Sequence, residues 1–200
     1  MKLRPIDLTL TGMFAAFMAI GANLTSIITI GSVPITLQTF FCILVGLVLG
    51  SRLGSISMMV YAIVGLMGAP VFAQFTGGPS AIFKATFGFI LSYIIVAYVV
   101  GKMVESNQSH TMFMVAAFVG LIINYVIGTH WMYMAMKLWA EAPEGFTYRL
   151  AWGWMLAPLV KDIVLTVFAG LLAPRLFYRL QKSSHRLQNN APSSSISSNR

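Results

Sequence analysis

The sequence predicts an all-α integral membrane protein of six transmembrane helices, with its N- and C-termini cytoplasmic. Three observations carry that reading. Hydrophobic residues make up 58% of the 200 residues and charged residues only 9%, whereas a soluble domain carries roughly 25% charged residues to wet its surface. Mean hydropathy is +0.80. The 13 Lys and Arg residues sit largely at the edges of apolar runs, as in a chain oriented in a bilayer. A soluble enzyme and a disordered protein are excluded. So is a nucleic-acid binder, despite the net charge of +8, because the charges form no basic face among aromatics.

Six apolar stretches run from Leu8 to Leu24, Leu37 to Gly50, Ile56 to Met67, Ala81 to Gly101, Met112 to Met136 and Leu150 to Phe177. Crossing about 30 Å of hydrocarbon takes about 20 residues at 1.5 Å each. The first, fourth, fifth and sixth stretches reach that length. The second and third are short and are divided by Ser51-Arg52-Leu53-Gly54; they read as two short helices, with one hairpin partly shielded by its neighbours as the alternative. None shows the period-2 alternation of a barrel strand. Lys2 and Arg4 precede the first stretch, but its length and its five successors fit a span better than a cleaved signal. Residues 1–180 form one six-helix membrane domain. Residues 181–200 are polar and rich in Ser and Asn, and read as a disordered cytoplasmic tail.

Orientation follows from the basic residues. With the N-terminus inside, Lys2, Arg4, Arg52, Lys102, Arg175, Arg179, Lys182, Arg186 and Arg200 fall on the cytoplasmic side. Lys84, Lys137, Arg149 and Lys161 fall outside or within the bilayer. That asymmetry sets the orientation, and an even number of spans keeps the Arg175–Arg186 cluster inside.

Three segments then meet at the outer face. One is the connection Gly31-Ser32-Val33-Pro34-Ile35-Thr36-Leu37-Gln38. Another is Gly68-Ala69-Pro70-Val71-Phe72-Ala73-Gln74-Phe75-Thr76-Gly77-Gly78-Pro79. Both are apolar with Pro and Gly punctuation, which suits irregular backbone lining a cavity. The isolated amides of Gln38 and Gln74 suit a lid over a mostly apolar ligand, and re-entrant packing without a ligand is the bland alternative. The third segment is the outer part of the last helix, which carries Lys161-Asp162. An ionisable residue inside a span costs about 2.5–3.5 kcal/mol on insertion scales and usually serves function. Adjacent helical positions diverge by about 100°, so the two do not make an ideal side-by-side salt bridge, and each can reach a different partner. Lys84, near the outer start of the fourth span, can snorkel or face the ligand. Asn124 is expected to bond a neighbouring helix, and His130 to be a core residue.

The first helix carries Gly12, Ala15, Ala16 and Ala19. Gly12/Ala16 and Ala15/Ala19 are small-xxx-small pairs that let another helix approach closely. Such a helix can belong to this chain or to a partner. No catalytic motif is present: there is no HExxH, GxSxG, phosphate-binding loop or Asp-rich metal run. Cys42 is the sole cysteine, so no disulfide can form within the chain. No catalytic residue, metal site or cofactor is expected, and the chain reads as a binding or permeation subunit.

At Val33-Pro34-Ile35-Thr36-Leu37-Gln38-Thr39-Phe40 and Gly46-Leu47-Val48-Leu49-Gly50-Ser51-Arg52-Leu53-Gly54 the sequence resembles the BioY family of biotin transporters. These are substrate-binding S components of energy-coupling-factor (ECF) transporters. The resemblance continues through Gly65-Leu66-Met67-Gly68-Ala69-Pro70-Val71-Phe72-Ala73, Gly77-Gly78-Pro79, Gly128-Thr129-His130-Trp131 and Pro158 to Pro174. The chain departs at Ala85-Thr86-Phe87-Gly88-Phe89, where the family often has Pro-Thr-Gly-Gly-Tyr, and at Lys161-Asp162, where it often has Gly-Asp.

The resemblance implies a high-affinity S component in the bacterial inner membrane. It would capture biotin at the outer face for ATP-driven import, with a coupling transmembrane subunit and two ATPase subunits. An S component for another vitamin or small metabolite is the alternative. The family's helix-1 motif implies docking through Ala15 and Ala19, with Gly12 and Ala16 one turn earlier. For biotin, Asp162 can accept a ureido N–H, and Gln74 or Gln38 can complete that ring. Lys161 or Lys84 can meet the carboxylate or the ureido oxygen. Val33, Thr36, Phe72 and Phe75 can cover the apolar middle.

Overall fold

The protein is described here from a computed structural model, covering residues 4–31 and 33–189. It is all-helical apart from one two-residue ribbon. The order is α1 (Pro5–Asn23), β1 (Thr29–Ile30), β2 (Val33–Pro34), α2 (Gln38–Leu66), α3 (Phe87–Ser106), α4 (His110–Leu138) and α5 (Tyr148–Asn189). β1 and β2 pair antiparallel, Thr29 opposite Pro34 and Ile30 opposite Val33. Short 3-10 turns occupy Ala73–Phe75 and Pro79–Phe83. By length and composition all five α-helices qualify as candidate membrane spans, α2 only when its whole length is taken together.

α1 begins with Pro5 at its first position, where a missing N–H costs nothing. Asp7, in the first turn, accepts the Arg4 N–H at 3.0 Å, a placement the helix dipole favours.

α2 is not a rod. At Gly50 the backbone turns to φ 79°, ψ −178°, a conformation that a side chain disfavours. Gln38 Nε2 donates to Tyr61 Oη at 2.9 Å across 23 residues; on a straight helix those residues would stand about 35 Å apart. α2 is therefore a helical hairpin whose arms, 38–49 and 51–66, meet at Gly50. α3 packs directly on the apex. A Cβ on Gly101 would lie 2.2 Å from Ser51 N, so only glycine admits this approach. One turn on, Glu105 Oε1 accepts the Ser51 N–H at 2.7 Å and contacts Ser51 Oγ at 2.8 Å. It thus caps the start of the second arm. The break falls just before Ser51-Arg52-Leu53-Gly54, which opens the second arm instead of forming the expected loop.

The hairpin and α3 form the middle of the molecule, with Ile43, Leu47, Met58, Val96 and Val100 fully buried. α4 and α5 complete one side, and α1 leans on α2 alone among the long helices in substantial contact. Leu8 and Ile20 on α1, Ile122 on α4, and Val160 and Phe168 on α5 point outward, as apolar solvent allows.

Two boundaries differ from the sequence reading. The fourth stretch does not start a helix at Ala81. Gly78 at φ 96° leads into the 3-10 turn, and Lys84 is extended, so α3 starts at Phe87 and Lys84 sits in a connection. The expected tail begins inside α5. No Gly or Pro interrupts residues 181–189, and the backbone stays helical to Asn189; residues 190–200 of that tail lie outside the described residues.

Candidate functional site

A cavity of about 380 Å³ opens where the two irregular connections meet α2, α3, α4 and α5. Small-ligand sites span about 300–1,000 Å³, so the space suits a compact molecule. Val33, Thr36 and Gln38 line it from the first connection, Phe72 and Gln74 from the second, Lys84 from the approach to α3, and Lys161 and Asp162 from α5. Eight of the nine residues expected to bind ligand therefore share one cavity. Phe75 does not. It is 69% exposed, because Gln74 and Phe75 both adopt positive φ, 61° and 54°, and this turn throws the Phe75 ring outward.

That strained turn is held from the last residue of α1 and the segment just after it. Asn23 Oδ1 accepts the Phe75 N–H at 2.6 Å, and Ser26 Oγ accepts the Gln74 N–H at 3.1 Å. Phe72 and Thr76 pair backbone to backbone across the turn. Phe72 is buried edge-on against Tyr61, with ring centroids 5.5 Å apart. Tyr61 Oη in turn donates to Val71 O at 3.0 Å. The connection is thus a latched lid, and Gln38 contributes to its support through Tyr61.

The floor is polar and buried. Asp162 is 4% exposed. Tyr125 donates its hydroxyl to Asp162 Oδ2 at 2.7 Å. Lys161 Nζ stands 2.8 Å from Asp162 Oδ1 and donates to the carbonyl of Thr36. The two neighbours do pair, although helical spacing does not set them side by side. Asp162 Oδ1 is thus paired with the Lys161 ammonium and makes no hydrogen bond to any other residue. Each also reaches a separate partner, as expected.

Beside them Asn124 Nδ2 donates to Thr39 Oγ1 at 3.2 Å, and Ser92 Oγ lies 2.7 Å from Asn124 Oδ1. This ties α4 to α2 and α3, as the sequence led us to expect. His130 is exposed rather than core; it lies edge-on to Tyr148, at the start of α5, at 6.2 Å.

Sequence reasoning missed Thr39, Tyr93, Tyr125, Met136, Met155 and Glu141, which also line the cavity. Tyr93 and Tyr125 left one usable signal: a phenol in an apolar helix seeks a partner for its hydroxyl. Among the described residues no cluster of His, Cys, Asp and Glu could hold a metal ion.

The small residues of α1 divide by exposure. Gly12 and Ala16 are exposed, and a Cβ on Gly12 meets nothing within 4 Å. Ala15 and Ala19 are half-buried against this chain's own core. The open small-residue face is therefore the Gly12/Ala16 pair.

Comparison with known proteins agrees with this architecture. Residues 1–182 match the model of the BioY family. BioYB of Bacillus subtilis (strain 168) is 43% identical over 188 residues, covering 92% of this chain and 93% of that protein. The biotin transporter BioY2 of Lactococcus lactis subsp. cremoris (strain MG1363) is 31% identical over 164 residues, covering 81% and 87%. The fold is also that of a crystal structure of the S component for biotin from an ECF-type ABC transporter. The TM-score is 0.68 at 20% identity, covering 86% of this chain and 94% of that one.

Proposed function

The chain belongs to the BioY family, and on that premise we propose that this multi-pass membrane protein is the biotin-capturing S component of an ECF-type uptake transporter. It binds and hands over its ligand without chemical turnover. The reading rests chiefly on the floor of the cavity. Asp162 is buried and oriented by Tyr125, and its Oδ1 faces only the Lys161 ammonium. A carboxylate oxygen can accept more than one hydrogen bond, and one buried beside a single partner keeps accepting capacity that water no longer fills. A ureido N–H supplies a further donor, and a charge-assisted hydrogen bond is worth about 1.5–3 kcal/mol. Val33 and Phe72 cover the apolar middle of the ligand, and Gln38 and Gln74 offer their amides to the ureido ring.

In this reading the α2 hairpin counts as two spans, giving six. Both termini are cytoplasmic, and the cavity opens to the outer face of the bacterial inner membrane. A coupling transmembrane subunit docks on α1, and two ATPase subunits drive import. Isothermal titration of the detergent-purified protein should show one saturable site for biotin and none for other vitamins. Saturable binding of a different vitamin, with biotin inert, overturns the assignment.

A further inference from the structure

We propose that the far end of α5 binds the headgroups of anionic phospholipids through a stripe made by Arg175, Arg179 and Lys182. The inference goes beyond the biotin reading and needs only that α5 crosses the bilayer.

One face of α5 changes character along its length. Val160, Val164 and Leu171 are 69%, 65% and 62% exposed, and Arg175, Arg179 and Lys182 are exposed after them. At 3.6 residues per turn these six positions fall within an arc of about 100°, so they form one continuous stripe. Its first part is apolar, as a surface against acyl chains can be. Its second part is basic, and Arg186 takes the next register position on the same face. The change falls at headgroup depth. Tyr148 and Trp152 begin the helix and suit the aromatic belt of one interface. A bilayer with its headgroup layers is about 40–45 Å thick. Arg175 stands about 40 Å along the helix from Tyr148 at 1.5 Å per residue, where the opposite headgroups lie. Arg179 and Lys182 follow in the next two turns. This end of α5 is also held in place, since Tyr178 donates its hydroxyl to Gln108 O at 2.9 Å, just before α4.

The stripe has no counter-charge within the chain. No Asp or Glu follows Asp162 in the sequence, and among the described residues the ion pairs involve none of Arg175, Arg179 and Lys182. Basic residues at the foot of a membrane helix attract anionic lipid surfaces, and the arginine fork matches phosphate geometry. An acidic protein surface would complement the charge alone. A phospholipid complements the whole stripe, because it presents an acyl chain and then a phosphate in the order that the helix face presents its apolar and basic parts.

The test places a fluorophore beside the stripe, on Gln181→Cys; Gln181 is exposed, and the native Cys42 is buried. The full chain is held in phosphatidylcholine nanodiscs. Quenching is compared for phosphatidylglycerol and phosphatidylcholine that carry the same spin label high on an acyl chain. With the stripe intact, phosphatidylglycerol should be favoured about 5-fold at low salt, the effect of one basic residue close to an anionic surface. At about 1 M salt, where charges are screened within about 3 Å, the two lipids should quench equally. Arg175→Gln/Arg179→Gln/Lys182→Gln should remove the preference at low salt. Arg175→Lys/Arg179→Lys should keep it. Lys102→Gln should keep it too, because Lys102 lies off the stripe and already pairs with Glu105. Equal quenching with the stripe intact overturns the proposal and leaves the stripe to an acidic protein surface. A preference that survives the triple Gln variant or 1 M salt, or vanishes with the Lys pair or with Lys102→Gln, overturns it as well. The salt comparison and the Lys pair keep every charge in place, so they decide the matter if the triple Gln variant fails to insert.

Discussion

Gln38 and Tyr61, one on each arm of the α2 hairpin, meet at 2.9 Å. Tyr61 also holds Val71 of the lid at 3.0 Å. One hydroxyl therefore closes the α2 hairpin and braces the cavity wall. Tyr61→Phe keeps the ring against Phe72 but strands a buried amide donor and a lid carbonyl. The expected loss is about 1–3 kcal/mol of stability, read as a lower melting temperature in detergent, together with weaker biotin binding.

Asp162→Asn retains the shape of the floor and removes its charge. Biotin affinity should fall by about 1.5–3 kcal/mol, roughly 10- to 150-fold, with membrane insertion unchanged. Tyr125→Phe removes only the neutral donor that orients Asp162. Its effect should be smaller, about 0.5–1.5 kcal/mol or roughly 2- to 12-fold. Titration of each variant with biotin measures both, and parent-like affinity in Asp162→Asn would locate the binding site elsewhere.

Release should depend on the latch. Asn23→Ala removes the acceptor for Phe75 N from a turn whose two positive-φ residues cost about 1–3 kcal/mol each. The lid should open more often, and biotin should dissociate about 2- to 12-fold faster, the effect of one hydrogen bond. A chase of bound labelled biotin reads this rate. An unchanged rate would mean that the lid does not gate release.

Docking should be sensitive to the exposed pair on α1. Ala16→Trp fills the open face and should abolish transport and co-purification with a coupling subunit while biotin still binds. Ala15→Trp points at the protein's own core and should lower thermal stability as well. If Ala16→Trp transports normally, docking uses another surface.

The orientation can be read directly. Reporter fusions after Gly50 and after Met103 should be cytoplasmic, and fusions after Met67 and within Ala140–Tyr148 external. An external C-terminus would rule out six spans.

Much of the site was legible from residues that a membrane span does not normally tolerate. Lys161 and Asp162 stand out in any apolar helix, and Pro-Gly punctuation marked both connections as irregular. What stayed hidden depends on tertiary geometry. Tyr93 and Tyr125 look like core aromatics until the packing of α3 and α4 turns them towards Asp162. Phe75 looks equivalent to Phe72, and only the left-handed turn beneath it sends its ring outward. A glycine at position 50 signals freedom to bend, but the reversal itself is fixed by partners far along the chain, Gln38 with Tyr61 and Ser51 with Glu105.

The α2 hairpin bears on how the protein is made. Its arms, 38–49 and 51–66, measure roughly 18 and 24 Å at 1.5 Å per residue, less than the about 30 Å of a bilayer core. Neither arm is a good candidate to leave the translocation machinery alone, and the first would expose its buried Gln38 and Thr39 to lipid until the second folds back. The two must partition into the bilayer together, and the Ser51 amide awaits Glu105, which emerges only after α3 is made. Biogenesis of this chain is thereby post-insertional in its central step: the middle of the molecule assembles only when its fourth hydrophobic stretch has arrived.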